Sequence, residues 1–304
     1  MIVVAGEALI DLVPQGPGAL AGLRPALGGG PYNTAVALGR SAPPPTAFWS
    51  RASRDAFGEA LLDGLRTAGV DVSAVQRGPE PTTLAVATID GNGSAAYSFY
   101  VDGTADRLFA APDRLPAAAR AVSFGTCSLV LEPGASAYEQ LMRTAAAQGV
   151  FTALDPNVRA GLIPDADAYR SRFLGWLPSV TLLKLSEEDA RWLGGTPRAW
   201  LAAGPSAVVI TRGGDGLTVF TRDGEEHSVP GERVEVADTI GAGDTVNAAL
   251  LHGLSAFDAL SREALSGLDA DAWRRLLRFA ARAAAVTCSR AGAEPPYASE
   301  LGEL

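Results

Sequence analysis

The run Asp238-Thr239-Ile240-Gly241-Ala242-Gly243-Asp244, followed by the helical stretch Thr245–Leu254, concentrates the groups most able to do chemistry. Small residues just before a helix leave several backbone N–H groups without partners, free to converge on one point. Reinforced by the helix dipole, that arrangement binds an anion. Asp244 is out of place there as a passive neighbour, because it brings negative charge toward the same anion. It fits if its carboxylate takes the proton from a hydroxyl that attacks a bound phosphoryl group. The plainer alternative is a glycine loop whose aspartate only caps the helix.

Further candidates stand where short apolar runs end. Asp155-Pro156-Asn157-Val158-Arg159 follows one such run, and the fork of Arg159 can hold two acceptors of a substrate or phosphate. A structural salt bridge is its alternative role. Lys184, the only lysine beside 24 arginines, ends another run, as a nucleotide contact or as a salt-bridged strand end. Cys127 and Cys288 match no metal spacing and no disulfide framework, and read as small core residues in a reducing compartment.

These groups need elements to position them. Strands are expected at Ile2–Gly6, Thr46–Ser50, Ala121–Phe124, Val150–Leu154, Val180–Lys184 and Ala207–Thr211. Helical patterns such as Phe57–Ala68, Ala135–Gln148 and Tyr169–Trp176 lie between them. Apolar strands alternating with helices imply an α/β fold with a mostly parallel sheet covered on both faces, and ligands gather at the strand exits of such sheets. One segment breaks the rhythm: Thr82–Asp90 and Ala95–Val101 flank Gly91-Asn92-Gly93, a hairpin signal. Its aromatic residues Tyr97 and Phe99 could close over a ligand.

Composition narrows the function. The 304 residues are 47% apolar and 19% charged, with a formal charge of −9, so a sizeable core forms and disorder is not expected. No basic cluster marks a nucleic-acid or anionic-membrane surface. No apolar run approaches the ~18 residues of a membrane span, and the start of the chain reads as a strand rather than a signal peptide. A cytoplasmic location follows as an expectation.

The run Asp238–Asp244 resembles the carboxy-terminal signature of the ribokinase-like (PfkB) sugar kinases, Asp-Thr, a variable residue, then Gly-Ala-Gly-Asp. The family's amino-terminal signature is present as Gly28-Gly29-Gly30-Pro31-Tyr32-Asn33-Thr34-Ala35, ending at Arg40, with Ser41-Ala42 in place of the usual Leu-Gly. Gly6-Glu7 with Asp11, Asp55-Ala56-Phe57-Gly58, Gly69-Val70-Asp71, Val208–Gly216 and Gly292-Ala293 follow in the family's order. The resemblance covers essentially the whole chain.

It implies one ribokinase-like domain over 1–304, a three-layer αβα sandwich with a small β lid formed from about 11–27 and 82–107. It implies that Asp244 is the base and that Gly241, Ala242 and Gly243 supply the anion hole. Asp11, Gly28, Gly29 and Asn33 would bind the sugar under Tyr97 and Phe99. Thr211, Gly213 and Gly216 resemble the phosphate-contacting turn, with Lys184 and Ser186 beside it on the ATP side. Ser186 and Asp189 stand where many relatives carry Asn-x-x-Glu, so Asp189 or Glu188 would hold Mg2+ through water. Asp238, Ile240 and Gly292 match backbone positions that hold K+ in many relatives. The Asp155–Arg159 string resembles fructokinases and 2-keto-3-deoxygluconate kinases. Fructose, phosphorylated by ATP, is the expected substrate, and the keto-acid is the alternative, with Arg107 or Arg159 as its carboxylate partner. A homodimer through lid strands is compatible with this reading. A dinucleotide oxidoreductase lacks its glycine motif here, and a non-catalytic sugar-responsive protein would not be expected to keep Asp244.

Overall fold

Side chains along the expected strands alternate between two apolar cores, and this alternation sets the architecture. A computed structural model describes residues 1–16, 18, 20–41, 43–89 and 95–304. In chain order the strands are β1 (Ile2–Ala5), β2 (Leu9–Pro14), β3 (Leu23–Gly28), β4 (Thr46–Trp49), β5 (Arg51–Ser53), β6 (Gln76–Gly78) and β7 (Leu84–Ile89). They continue with β8 (Ala95–Tyr100), β9 (Ala121–Gly125), β10 (Phe151–Asp155), β11 (Leu182–Ser186), β12 (Ala207–Thr211), β13 (Leu217–Thr221) and β14 (Glu226–Val229). The first five helices are α1 (Gly30–Arg40), α2 (Ala56–Thr67), α3 (Gly134–Ala147), α4 (Ala166–Trp176) and α5 (Glu187–Leu193). The others are α6 (Pro197–Ala203), α7 (Ala242–Ala256), α8 (Arg262–Ser266), α9 (Ala270–Cys288) and α10 (Ala298–Leu301).

The main sheet runs β14-β13-β12-β11-β10-β9-β1-β4, parallel from β12 to β4 and antiparallel at β13 and β14. Ile2, Val4, Phe151, Ala153 and Val209 enter one core, with α1, α2, α7 and α9. Val3, Ala5, Leu154, Val208 and Ile210 enter the other, with α3, α4 and α6. This is the expected three-layer α/β arrangement. The expected strand at Val180–Lys184 is displaced: the Val180 N–H closes a turn onto the Leu177 carbonyl, and the ladder begins at Leu182. Helix α4 begins three residues earlier than expected because Asp165 caps it, accepting from the Asp167 and Ala168 amides.

A second, four-stranded sheet has the order β3-β2-β7-β8. The chain leaves β1 and enters β2 almost directly, and β3 passes straight into α1, so this sheet is tied to the carboxyl edge of the main one. The β7–β8 pair forms with Leu84 opposite Tyr100, as the hairpin signal expects; its Gly91-Asn92-Gly93 turn lies outside the described residues, as does Ala42. Among the described residues no helix is long and apolar enough to cross a membrane.

Asp55 ties the second sheet to the main body. Its carboxylate accepts from the Gly58 amide at 2.7 Å, capping α2, and from the Thr82 amide and hydroxyl at 2.9 and 2.7 Å, just ahead of β7. Burial pushes this carboxyl up, but those hydrogen bonds outweigh it and hold it below the usual carboxylate range. Replacing Asp55 with Ala is expected to cost about 1–2 kcal/mol of stability, the upper part of the range for a lost cap. Urea denaturation measures it, and an unchanged midpoint would show that the cap carries no weight.

Candidate active site

Two cavities meet at the first turn of α7. The larger, about 410 Å³, is lined by Glu7, Leu9 and Asp11 from the β1–β2 passage and by Gly29, Gly30 and Asn33 from the β3–α1 junction. Tyr97 and Phe99 of β8 cover it, with their rings stacked 6.2 Å apart. Thr126 and Cys127 after β9, Asn157 and Arg159 after β10, and Thr239, Ile240, Gly241, Gly243 and Asp244 complete the wall. The second cavity, about 250 Å³, is lined by Thr211, Gly213, Gly214 and Gly216 on one side. Val234, Val236, Ala281, Ala284 and Ala285 give it an apolar wall. Thr239 and Gly243 line both.

Gly241 stands at the N-cap of α7 with φ +77°, a left-handed conformation that turns the chain sharply into the helix. A Cβ there would also lie 2.7 Å from that of Ala293. Among the described residues the N–H groups of Gly241, Gly243 and Asp244 donate to no protein acceptor, whereas that of Ala242 reaches the Thr239 carbonyl at 3.3 Å. Three free donors at one helix end form an arrangement able to receive an anion.

Asp244, in the first turn of α7, is buried. The Asn33 amide donates to its Oδ2 at 2.9 Å. Burial pushes its carboxyl up to about 6, and Asp155 pushes in the same direction, while the Asn33 hydrogen bond and the charges of Lys184 and Arg159 oppose. Asp11 is raised to about 6 by burial, opposed by Arg159. Glu7 reaches about 7 through burial, although its Oε2 accepts from the Ser128 amide at 3.0 Å and from the Ser128 hydroxyl. Three carboxyl groups and one guanidinium therefore line the larger cavity, which suits a neutral ligand rich in hydroxyls.

The remaining residues singled out in the sequence occupy other places. Gly28 does not line the cavity; it backs Asp11, where a Cβ would fall 2.0 Å from Oδ2. Lys184 lines neither cavity, its Nζ bonded to Asp155 Oδ2 at 2.6 Å. Ser186 caps α5 in a reciprocal pair with Asp189. Both Asp189 oxygens are engaged, Oδ2 by Ser186 and Oδ1 by the Val158 amide at 2.8 Å, while Glu188 is exposed. Asp238 bridges two loops, accepting from the Ile240 amide at 3.0 Å and the Gly292 amide at 2.9 Å, so these three residues are neighbours. Arg107 points away, onto the Glu132 and Val101 carbonyls and Asp102.

Sequence reasoning missed Glu7, Leu9, Thr126 and Cys127 as lining residues, and the apolar wall of the second cavity. It also placed Asn33 in the sugar pocket without its bond to Asp244. Glu7 alone carried a signal, an acid in the turn straight after the first strand.

The chain is 38% identical to a fructokinase of Rhizobium leguminosarum bv. trifolii over 283 residues, 90% of this chain and 86% of that protein. It is 31% identical to fructokinase-2 of Oryza sativa subsp. japonica, over 97% of this chain and 90% of that one. The crystal structure of a Xylella fastidiosa fructokinase with bound ATP superposes with a TM-score of 0.84 at 29% identity, covering 96% of this chain and 93% of that chain. With the description "pfkB family carbohydrate kinase" matching residues 1–300, and with both glycine motifs walling the same cavity, the chain belongs to the PfkB family of carbohydrate kinases.

Proposed function

We propose that the protein is a fructokinase, transferring the γ-phosphoryl group of ATP to D-fructose to give fructose 6-phosphate. The observation that carries this reading is Asp244, a buried carboxylate beside three free amides, at the meeting point of a hydroxyl-binding cavity and a second, partly apolar one. Fructose occupies the larger cavity, where Asp11 accepts sugar hydroxyls, Arg159 donates, and Gly29 lets the ligand approach the backbone. Gly28 serves by leaving room for Asp11. ATP occupies the second cavity, with its base against Val234, Val236 and the alanines of α9 and its phosphates toward Thr211, Gly213 and Gly216.

Asp244 takes the proton as the sugar hydroxyl attacks, and the amides of Gly241, Gly243 and Asp244 receive the charge that develops on the transferred group. The second sheet is the lid: Tyr97 and Phe99 shield the reacting atoms from water, which would otherwise compete for the phosphoryl group.

A keto-acid would set its carboxylate among Glu7, Asp11 and Asp244 with only Arg159 to meet it, since Arg107 is engaged elsewhere. Arg159 is itself bonded to Asn157 Oδ1 at 2.6 Å. This balance favours the neutral sugar. Magnesium would screen the phosphate charges. The ion would arrive with the nucleotide, and of the two acids at the start of α5, Glu188 is exposed while both Asp189 oxygens are engaged, so Glu188 would hold one of its waters. Potassium fits the loops that Asp238 joins, next to the α7 amides.

In a panel of fructose, ribose, adenosine, glucose, tagatose and 2-keto-3-deoxygluconate, fructose is expected to give the highest kcat/KM. A tenfold preference for the keto-acid, about 1.4 kcal/mol, would overturn fructose and leave the kinase standing. Asp244→Asn is expected to lower kcat by ~10² or more while both substrates still bind. The acid limb of kcat/KM should lie near pH 6, with activity lost as the pH falls and the base becomes protonated. Rates should be higher in potassium than in sodium or choline buffer, and equal rates would remove the monovalent site.

A further inference from the structure

The single lysine of this arginine-rich chain lies beneath the reacting centre and touches neither cavity. Lys184 on β11 and Asp155 at the end of β10 are both buried, on neighbouring parallel strands. Nζ donates to Asp155 Oδ2 at 2.6 Å. A Cβ built on Gly243 would meet that same Nζ at 3.1 Å, so the ammonium sits directly under the first turn of α7. Asp155 Oδ1 is buried without a partner among the described residues, and so is Asn247 Oδ1. Both residues, with Asp244, Thr34 and Thr126, border a chamber of about 10 Å³, roughly the space of one water molecule.

A pair placed here is poorly explained by stability. Removing two charges from water costs about as much as their attraction returns, and apolar replacements of such pairs are often neutral or better. Its position beside Asp244 suggests another use. Asn33 from α1 donates to Asp244, and Asp155 from β10, Arg159 from the following loop and Lys184 from β11 act on its charge, while Glu7 and Asp11 line the same cavity from the β1–β2 passage. Asp155 alone would oppose a second negative charge on Asp244, and Lys184 cancels that opposition. Lysine suits the place because its ammonium is a compact charge that fits beneath a glycine, whereas a guanidinium is broad and planar.

We propose that Lys184 and Asp155 are positioning residues for phosphoryl transfer, with Lys184 keeping Asp244 ionised as the base and Asp155 holding the ammonium under the α7 turn. This rests on the reading of Asp244 as the base. The pair works through charge: removing Lys184 alone leaves Asp155 and Asp244 opposed, whereas removing both charges restores the balance.

The test is the pH dependence of kcat/KM for fructose in wild type, Lys184→Met, Lys184→Arg and the double variant Lys184→Met/Asp155→Asn. The acid limb of Lys184→Met should move up by about one pH unit, a tenfold change in the ionised fraction well below the limb. The double variant, which has lost more polar groups, should return to within about 0.3 units of wild type. Lys184→Arg, which keeps the charge, should keep the wild-type limb even where the crowded guanidinium lowers kcat. An unmoved limb in Lys184→Met, or a double variant displaced as far as the single one, overturns the proposal. If Lys184→Met does not fold, Asp155→Asn decides: the Lys184 ammonium, no longer cancelled, should move the limb down by about one pH unit, and an unmoved or raised limb overturns the proposal. Asp244→Asn in the same series separates the two readings. If that variant keeps more than half of the wild-type turnover, Asp244 is not the base; if it is inactive while the limbs do not move as stated, only the role of the buried pair fails.

Discussion

The first turn of α7 has to stand where two cavities meet, with its amide hydrogens uncovered and its carboxylate buried, and most of the molecule serves that placement. The parallel sheet brings the exits of β1, β9, β10, β11 and β12 to one edge. Helix α1 packs against α7 and carries Asn33 to Asp244. Helix α9 packs along α7 and supplies the alanines of the second cavity's apolar wall. The left-handed Gly241 turns the chain sharply enough that three donors stay free of the backbone. A helix of the same composition in another place would have the dipole and the donors, but nothing to aim them at.

Burial and charge then divide the work among similar groups. Glu7, Asp11 and Asp244 are all carboxyls raised by desolvation, yet they have different neighbours. Glu7 is held by Ser128, Asp11 stands near Arg159, and Asp244 is bonded by Asn33 with a buried ion pair beneath it. The same residue type therefore meets a different environment at each of these three places, and its neighbours decide how it is held. The second sheet completes the environment. It contributes Asp11 from β2 and the aromatic cover from β8, and Asp55 anchors the chain just ahead of β7 to the start of α2. Asp11 and the aromatic cover of the larger cavity thus belong to one sheet.

Features set by near neighbours along the chain could be read from the residues alone. Continuous apolar runs specify strands that bury both faces, and small residues ahead of a helix specify uncovered amides, so the layered fold and the turn from Gly241 to Asp244 were legible. Tertiary structure decided whatever depends on residues far apart in the chain. Asn33 meets Asp244 across 211 positions, and Glu7 meets Ser128 across 121, because the sheet order and the α1–α7 packing bring those segments together. Gly28 makes room for Asp11, Asp189 is shared between the cap of α5 and the Val158 amide, and Arg107 faces away from the cavity. The sequence left Lys184 balanced between a nucleotide contact and an ion pair, since either suits a strand end. The folded chain supplies the ion pair, with Nζ 2.6 Å from Asp155 and close beneath Gly243, because the partners of a buried charge come from segments far apart in the sequence.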